Sequence, residues 1–162
     1  MFRLLPRFEF KYHTTTPEQK RSFFESIQTV PFRVRAAVVD KSVLAKQFVT
    51  MSGQDFAIEF IAGLTLRASE LDIANEILVV DGATLAFLRA LRVRLSEECH
   101  KAGRVRPFRK IIGGDSSRDD GLQLADMIAG AARHHVMGIE SRYYRTFANK
   151  IVDWWEVSTR RQ

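Results

Sequence analysis

Several things are scarce in this chain, and each absence narrows what it can be. There is one cysteine, Cys99, so no internal disulfide can form and a reducing compartment such as the cytoplasm fits. No apolar run reaches the roughly 18 residues of a membrane span. The first ten residues carry Arg3, Pro6, Arg7 and Glu9 and lack the apolar core of a secretory signal. Internal repeats, low-complexity tracts and linkers are missing. So are the P-loop, GxGxxG and GxSxG patterns, which sets aside the common nucleotide cradles and the nucleophile elbow. Cys99-His100 lacks zinc-site spacing, and His134 and His135, being adjacent, point to different helix faces. Ser116 and Ser117 have no matched base nearby in sequence.

What is present describes an ordinary soluble domain. The 162 residues suit one domain, 46% are hydrophobic, and twelve are phenylalanines able to fill a core. The net charge of +6 is concentrated. Residues 89–110 hold eight basic side chains (Arg89, Arg92, Arg94, Lys101, Arg104, Arg106, Arg109 and Lys110) against Glu97 and Glu98, an excess that equals the whole chain's. Such a stripe suits a phosphate backbone, through counterion release. It equally suits a solvated helix face and its loop.

Along the chain, Phe8, Phe10 and Tyr12 alternate with polar residues and predict a strand. Thr16, Pro17 and Gln19 carry the start signals of a helix, with a capping box. Phe32–Asp40 predicts a strand, and residues 42–52 are ambiguous. Gln54–Arg67 predicts a helix with Phe56, Phe60, Ile61 and Leu64 inward. Ile77–Val80, wholly apolar, predicts a strand covered on both faces and ends at Asp81-Gly82. Ala83–Lys101 predicts a long helix with Leu88, Leu91, Leu95 and Cys99 inward. Phe108–Ile112 predicts a strand, followed by a polar loop to Asp120. Asp120 is expected to cap the small-residue helix GLQLADMIAGAARHHVMG. The aromatic tail from Ser141 to Trp155 is expected to be helical. Strands alternating with helices imply an α/β fold with a largely parallel sheet.

The candidate chemistry lies in carboxylates. Asp40 and Asp81 end apolar strands, where α/β sheets present ligands. Asp126 interrupts an apolar helix, where an unpaired buried carboxylate is costly. Each has a plainer explanation: aspartate ends many strands, and Asp126 can pair with an arginine or benefit from the helix dipole. Converging carboxylates would suit magnesium or manganese, and two such ions would activate water for phosphodiester hydrolysis. Crowding would raise the pKa of some of them. Trp154 and Trp155 could stack bases, although packing explains them as well.

Glu9-Phe10-Lys11, the strands RVRAAVVDK and ILVVDG, and above all GLQLADMIAGA resemble, in the same order from about Phe8 to Met137, the family called domain of unknown function 3800. The resemblance implies an RNase H-like three-layer fold with a mixed, largely parallel sheet, followed by the aromatic tail 141–162. It implies a divalent-metal-dependent nuclease with magnesium or manganese, acting on DNA or RNA. Carried over by position, Glu9, Asp40, Asp81, Asp126 and Asp115 are its metal ligands, with Asp81 and Asp126 catalytic. Lys11, Arg92, Arg104, Arg106, Arg109 and Lys110 are the expected nucleic-acid contacts. Family members usually begin with a strand bearing Asp-Glu-Ser-Gly. Only eight residues precede Glu9 here, and none is acidic, so the fold is expected to be truncated at its N-terminus. The two readings are a nuclease-type domain, inactive without that strand, and a non-catalytic nucleic-acid-binding or assembly module. A missing central strand would leave the Phe32–Asp40 edge open, so a homodimer is expected, with no membrane partner.

Overall fold

Thr16 opens the first helix as expected. Its hydroxyl accepts from the Gln19 amide, the Gln19 side chain accepts from the Thr16 amide, and Pro17 takes the first helical position. The computed structural model describes residues 8–44, 46–105 and 107–157. In chain order it contains α1 (Pro17–Ser26), β1 (Val34–Val39), α2 (Lys46–Val49), α3 (Gly53–Arg67), α4 (Glu70–Ile73) and β2 (Ile77–Asp81). There follow α5 (Leu85–Lys101), β3 (Lys110–Gly114), α6 (Asp120–Val136), α7 (Arg142–Phe147) and β4 (Ile151–Val157). The fold is mixed α/β. It divides into two compact units, Met1–Val34 with Gly114–Val152, and Arg35–Gly113 with Asp153–Gln162.

The first unit is built around aromatic side chains. Phe24 is fully buried and stacks on Tyr143 at 4.9 Å and Phe147 at 6.1 Å between ring centroids, which ties α1 to α7. Tyr12 is buried against α6 at Gly130. A Cβ there would collide with the Tyr12 ring, so glycine is the residue that lets this aromatic lie on the helix. The Tyr12 hydroxyl also bonds His134 Nδ1 at 3.0 Å. Phe8–Tyr12 is not a strand. Its amides find side chains of α6 instead: Phe10 N donates to Gln123 Oε1 at 3.0 Å and Tyr12 N to Asp126 Oδ2 at 2.9 Å. The backbone then turns, with Lys11 O accepting from the Thr14 and Thr15 amides. Donors satisfied in this way have no need of a neighbouring strand.

The second unit packs α3 against α5. Ile58 and Ala62 meet Phe87, Leu88, Leu91, Leu95 and, from β3, Ile111. The inward face of α3 differs from expectation. Phe60 is buried, but Ile58, Ala62 and Thr65 join it, while Phe56, Ile61 and Leu64 are half-buried, because α5 covers a stripe rotated from the one the largest residues mark. The inward face of α5 is as expected, with Leu88, Leu91, Leu95 and Cys99 all buried.

The four strands form two two-stranded sheets, β1 with β4 and β2 with β3, rather than one continuous sheet. Consequently β2 is not covered on both faces: its central residues are half-buried and Ile77 is 41% exposed. The tail from Ile151 is a strand, not a helix, consistent with the β-branched and aromatic residues of IVDWWEV. Trp155 of β4 lies against Phe60 and over Gly63, whose missing side chain leaves the room. Glu76 and Arg109 stand immediately before β2 and β3, and Arg109 N donates to Glu76 O at 2.9 Å. The two strands therefore start at the same end and run parallel, joined through α5. The third strand begins at Lys110, two residues later than expected, and α6 is capped by Asp119, whose carboxylate accepts from the Leu122 amide, rather than by Asp120. No described helix is long and apolar enough to cross a membrane.

Candidate functional site

Glu9, Asp115 and Asp126 belong to the first unit. Glu9 accepts a short hydrogen bond from the Ser116 hydroxyl and pairs with Lys11 Nζ at 3.4 Å. Asp126 is exposed on α6, not buried, so the cost that first singled it out does not arise. One of its oxygens holds the Tyr12 amide. Between these acids lies Gln123, buried at 6% exposure. Its oxygen holds the Phe10 amide and its nitrogen donates to Ser116 O at 2.7 Å. Glu9, Gln123 and Asp126 thus clamp residues 9–12 onto α6 and the turn before it. Sequence reasoning passed over Gln123 as a working residue. The signal was available: an amide among small apolar residues has to find partners once it is buried.

Asp40 and Asp115 repeat one local device. Each sits just before a single 3-10 turn and accepts through one oxygen from both the amide and the hydroxyl of the serine two residues on, Ser42 or Ser117. These bonds favour the ionised form, so both carboxyls are held below the ordinary carboxylate range. Crowded metal-site acids were expected to shift upward, and these two shift downward for a local reason.

Asp40 and Asp81 belong to the second unit. Asp81 ends β2 and is exposed, followed by Gly82 at φ 60°, a backbone turn that glycine takes without strain. This is the strand end at which parallel sheets present ligands. Among the described residues no three of His, Cys, Asp and Glu are grouped so as to hold one ion.

Four of the eight basic residues of the stripe are occupied within the fold. Arg92 Nη2 donates to Ile111 O at 2.7 Å. Arg104 donates to Thr65 O at 3.2 Å and Leu66 O at 2.8 Å, which satisfies carbonyls at the C-terminal end of α3. Arg94 pairs with Glu59 and Glu98, and Lys101 with Glu98. Arg106 lies outside the described residues. Arg109 and Lys110 are exposed side by side at the start of β3. With parallel strands of five residues, they stand at the opposite end of this sheet from Asp81, roughly 16 Å along it.

In the same unit the Arg67 guanidinium grips Asp153 with two bonds, at 2.8 and 2.7 Å, while lying over the Trp155 ring. That pairing joins α3 to β4 and holds the Asp153 carboxyl low. No family model matches the chain, and neither a curated protein nor a solved structure is found to be similar to it.

Proposed function

We propose that this chain is a non-catalytic nucleic-acid-binding module with an RNase H-like α/β fold, working in the cytoplasm. The observation that carries the reading is how the motif's acids are spent. Asp126, in the stretch that most resembles the family, and Glu9 act as acceptors that hold residues 9–12 in place. Asp40 and Asp115 act as turn caps. Carboxylates used this way support a scaffold kept after a catalytic site is lost. The exposed neighbours Arg109 and Lys110, with Lys11 as a further exposed cation, supply the phosphate contacts. Anisotropy with labelled single-stranded and duplex DNA and RNA, over a salt series, tests this. Binding should weaken steeply with salt, and Arg109→Gln with Lys110→Gln should reduce the slope by about 2. Salt-independent binding, or none to any of the four probes, would remove the reading.

A second reading, a magnesium- or manganese-dependent nuclease, is favoured by one observation: Asp81 stands at the ligand-presenting end of β2, before a tight glycine turn. Because the described acids of neither unit group into a metal-holding set, no catalytic step is drawn through a metal. Divalent-dependent cleavage by the purified chain, lost in Asp81→Asn and Asp126→Asn, would replace the first reading with this one.

A further inference from the structure

α6 ends in a turn that carries apolar side chains outward. Of ten large apolar residues exposed among the described residues, three lie within residues 136–139: Val136 at 50%, Met137 at 57% and Ile139 at 60%. The other seven stand singly in the sequence, as is ordinary for a protein surface, whereas a group calls for an explanation. The turn is firmly built. The Met137, Gly138 and Ile139 amides donate to the carbonyls of Arg133, His135 and His134 at 3.0, 3.1 and 2.9 Å, with Gly138 at φ 69°. In this kind of helix cap the residue in the place of Ile139 frequently packs on an apolar residue in the last turns of the helix. Here those places hold Arg133 and His134, and Ile139 stays exposed.

Cations flank the turn. Arg133 precedes Val136 and Met137 by three and four residues, the spacing of one helix face, so its stem lies beside them. Arg142 and Arg145 follow on α7, both exposed. Over residues 133–145 the one carboxylate is Glu140, and Arg142 pairs with it at 2.9 Å. Among the described residues the side chains of Arg133 and Arg145 take part in no hydrogen bond or ion pair.

A small apolar tip flanked by two unengaged arginines matches an anionic bilayer surface. Its side chains can enter the edge of the acyl region while the guanidinium groups meet lipid phosphates. A protein partner fits less well, since a stable interface takes roughly 800 Å² of matching surface per partner and three side chains supply a fraction of it. A fluid lipid surface conforms to a small tip. A nucleic-acid backbone would use the arginines and leave the apolar side chains in water. We infer that the turn at residues 136–139 is a peripheral contact with anionic phospholipid membranes, independent of any nucleic-acid binding. Val136, Met137 and Ile139 insert, and Arg133 and Arg145 bind headgroup phosphates. The expectation of no membrane partner rested on the lack of a spanning run, and a surface contact needs none.

Flotation with vesicles tests this, phosphatidylcholine alone against phosphatidylcholine mixed with phosphatidylserine. The chain should float with the mixed vesicles and hardly with the neutral ones, and less at high salt. Met137→Ser with Ile139→Ser should lower the partition at least about tenfold, since two apolar side chains no longer enter. Arg133→Gln with Arg145→Gln should lower it at least about fivefold. All four positions are exposed, so circular dichroism should show both variants folded. A polarity-sensitive dye on Ile139→Cys should shift to the blue with mixed vesicles, while Cys99, being buried, stays unlabelled. A chain that floats with neither vesicle, flotation unchanged in Met137→Ser with Ile139→Ser, or a dye that stays in water while the chain floats would overturn the proposal. So would a protein or nucleic acid whose binding is lost in that variant while its binding to vesicles is not.

Discussion

Tyr12 and Asp126 are joined main chain to side chain: the Tyr12 amide donates to Asp126 Oδ2 at 2.9 Å, across 114 residues of sequence. The bond substitutes for a ladder bond in a segment whose alternation promised a strand. Asp126→Ala should cost about 1–2 kcal/mol, because a partly buried amide loses its acceptor. Asp126→Asn keeps an oxygen in place and should cost less than half as much. Urea unfolding of the two variants separates this role from a catalytic one, for which both would be equally damaging to activity and harmless to stability.

Gly130→Ala forces a methyl into the Tyr12 ring, and neither the helix backbone nor the buried ring can yield easily. A loss of about 2–3 kcal/mol is expected. Tyr12→Ala is itself destabilising, yet Gly130→Ala added to it should cost about 1 kcal/mol or less, since the obstacle is gone. Additive losses in thermal melts would contradict the packing described here.

The Arg67–Asp153 pairing predicts how stability responds to acid. The Arg67 hydrogen bonds hold the folded-state Asp153 carboxyl below its ordinary value of about 3.9. A carboxyl depressed on folding contributes its full stabilisation above the unfolded pKa. That contribution disappears as pH falls through the lowered folded value. Stability measured from about pH 6 down to about pH 2 should therefore fall less steeply in Arg67→Met than in the wild-type chain.

Arg104 separates structural from binding arginines. Arg104→Gln should destabilise the fold by about 1–2 kcal/mol, because the carbonyls of Thr65 and Leu66 lose a charged donor. It should leave the salt slope of nucleic-acid binding unchanged. A lowered slope with unchanged stability would return Arg104 to the phosphate-contact set.

Cys99 is buried at 1% exposure, and burial pushes its thiol above the ordinary range. Ellman's reagent should react with it only on unfolding. Rapid modification of the native protein would mean that the α5 packing opens readily.

Local signals were legible wherever the decisive partners are near in sequence. The α1 capping box, the C-terminal ends of α3 and α5, the inward stripe of α5 and the burial of Cys99 all depend on contacts within a few turns or on a regular apolar period. What failed depends on distant partners. Residues 8–12 alternate like a strand, but Gln123 and Asp126 take up their amides. Residues 151–157 sit in an aromatic tail that reads as a helix until β1 is available to pair with them. The apolar run of β2 signals full cover, yet paired with β3 alone among the described strands it stays half-buried.

The candidate site divides in the same way. From sequence alone came the inventory: five acids at strand ends, loops and helix faces, and a basic stripe of eight. Residue type and position determine that such groups are charged and placed where ligands are met. Tertiary structure alone decided which of them are already employed. Hydrogen-bond partners set that employment, and for Glu9, Asp126, Arg92 and Arg104 those partners lie from 19 to 114 residues away. A charge in sequence is a capacity; the fold determines whether it is spent on holding the chain or left for something outside it.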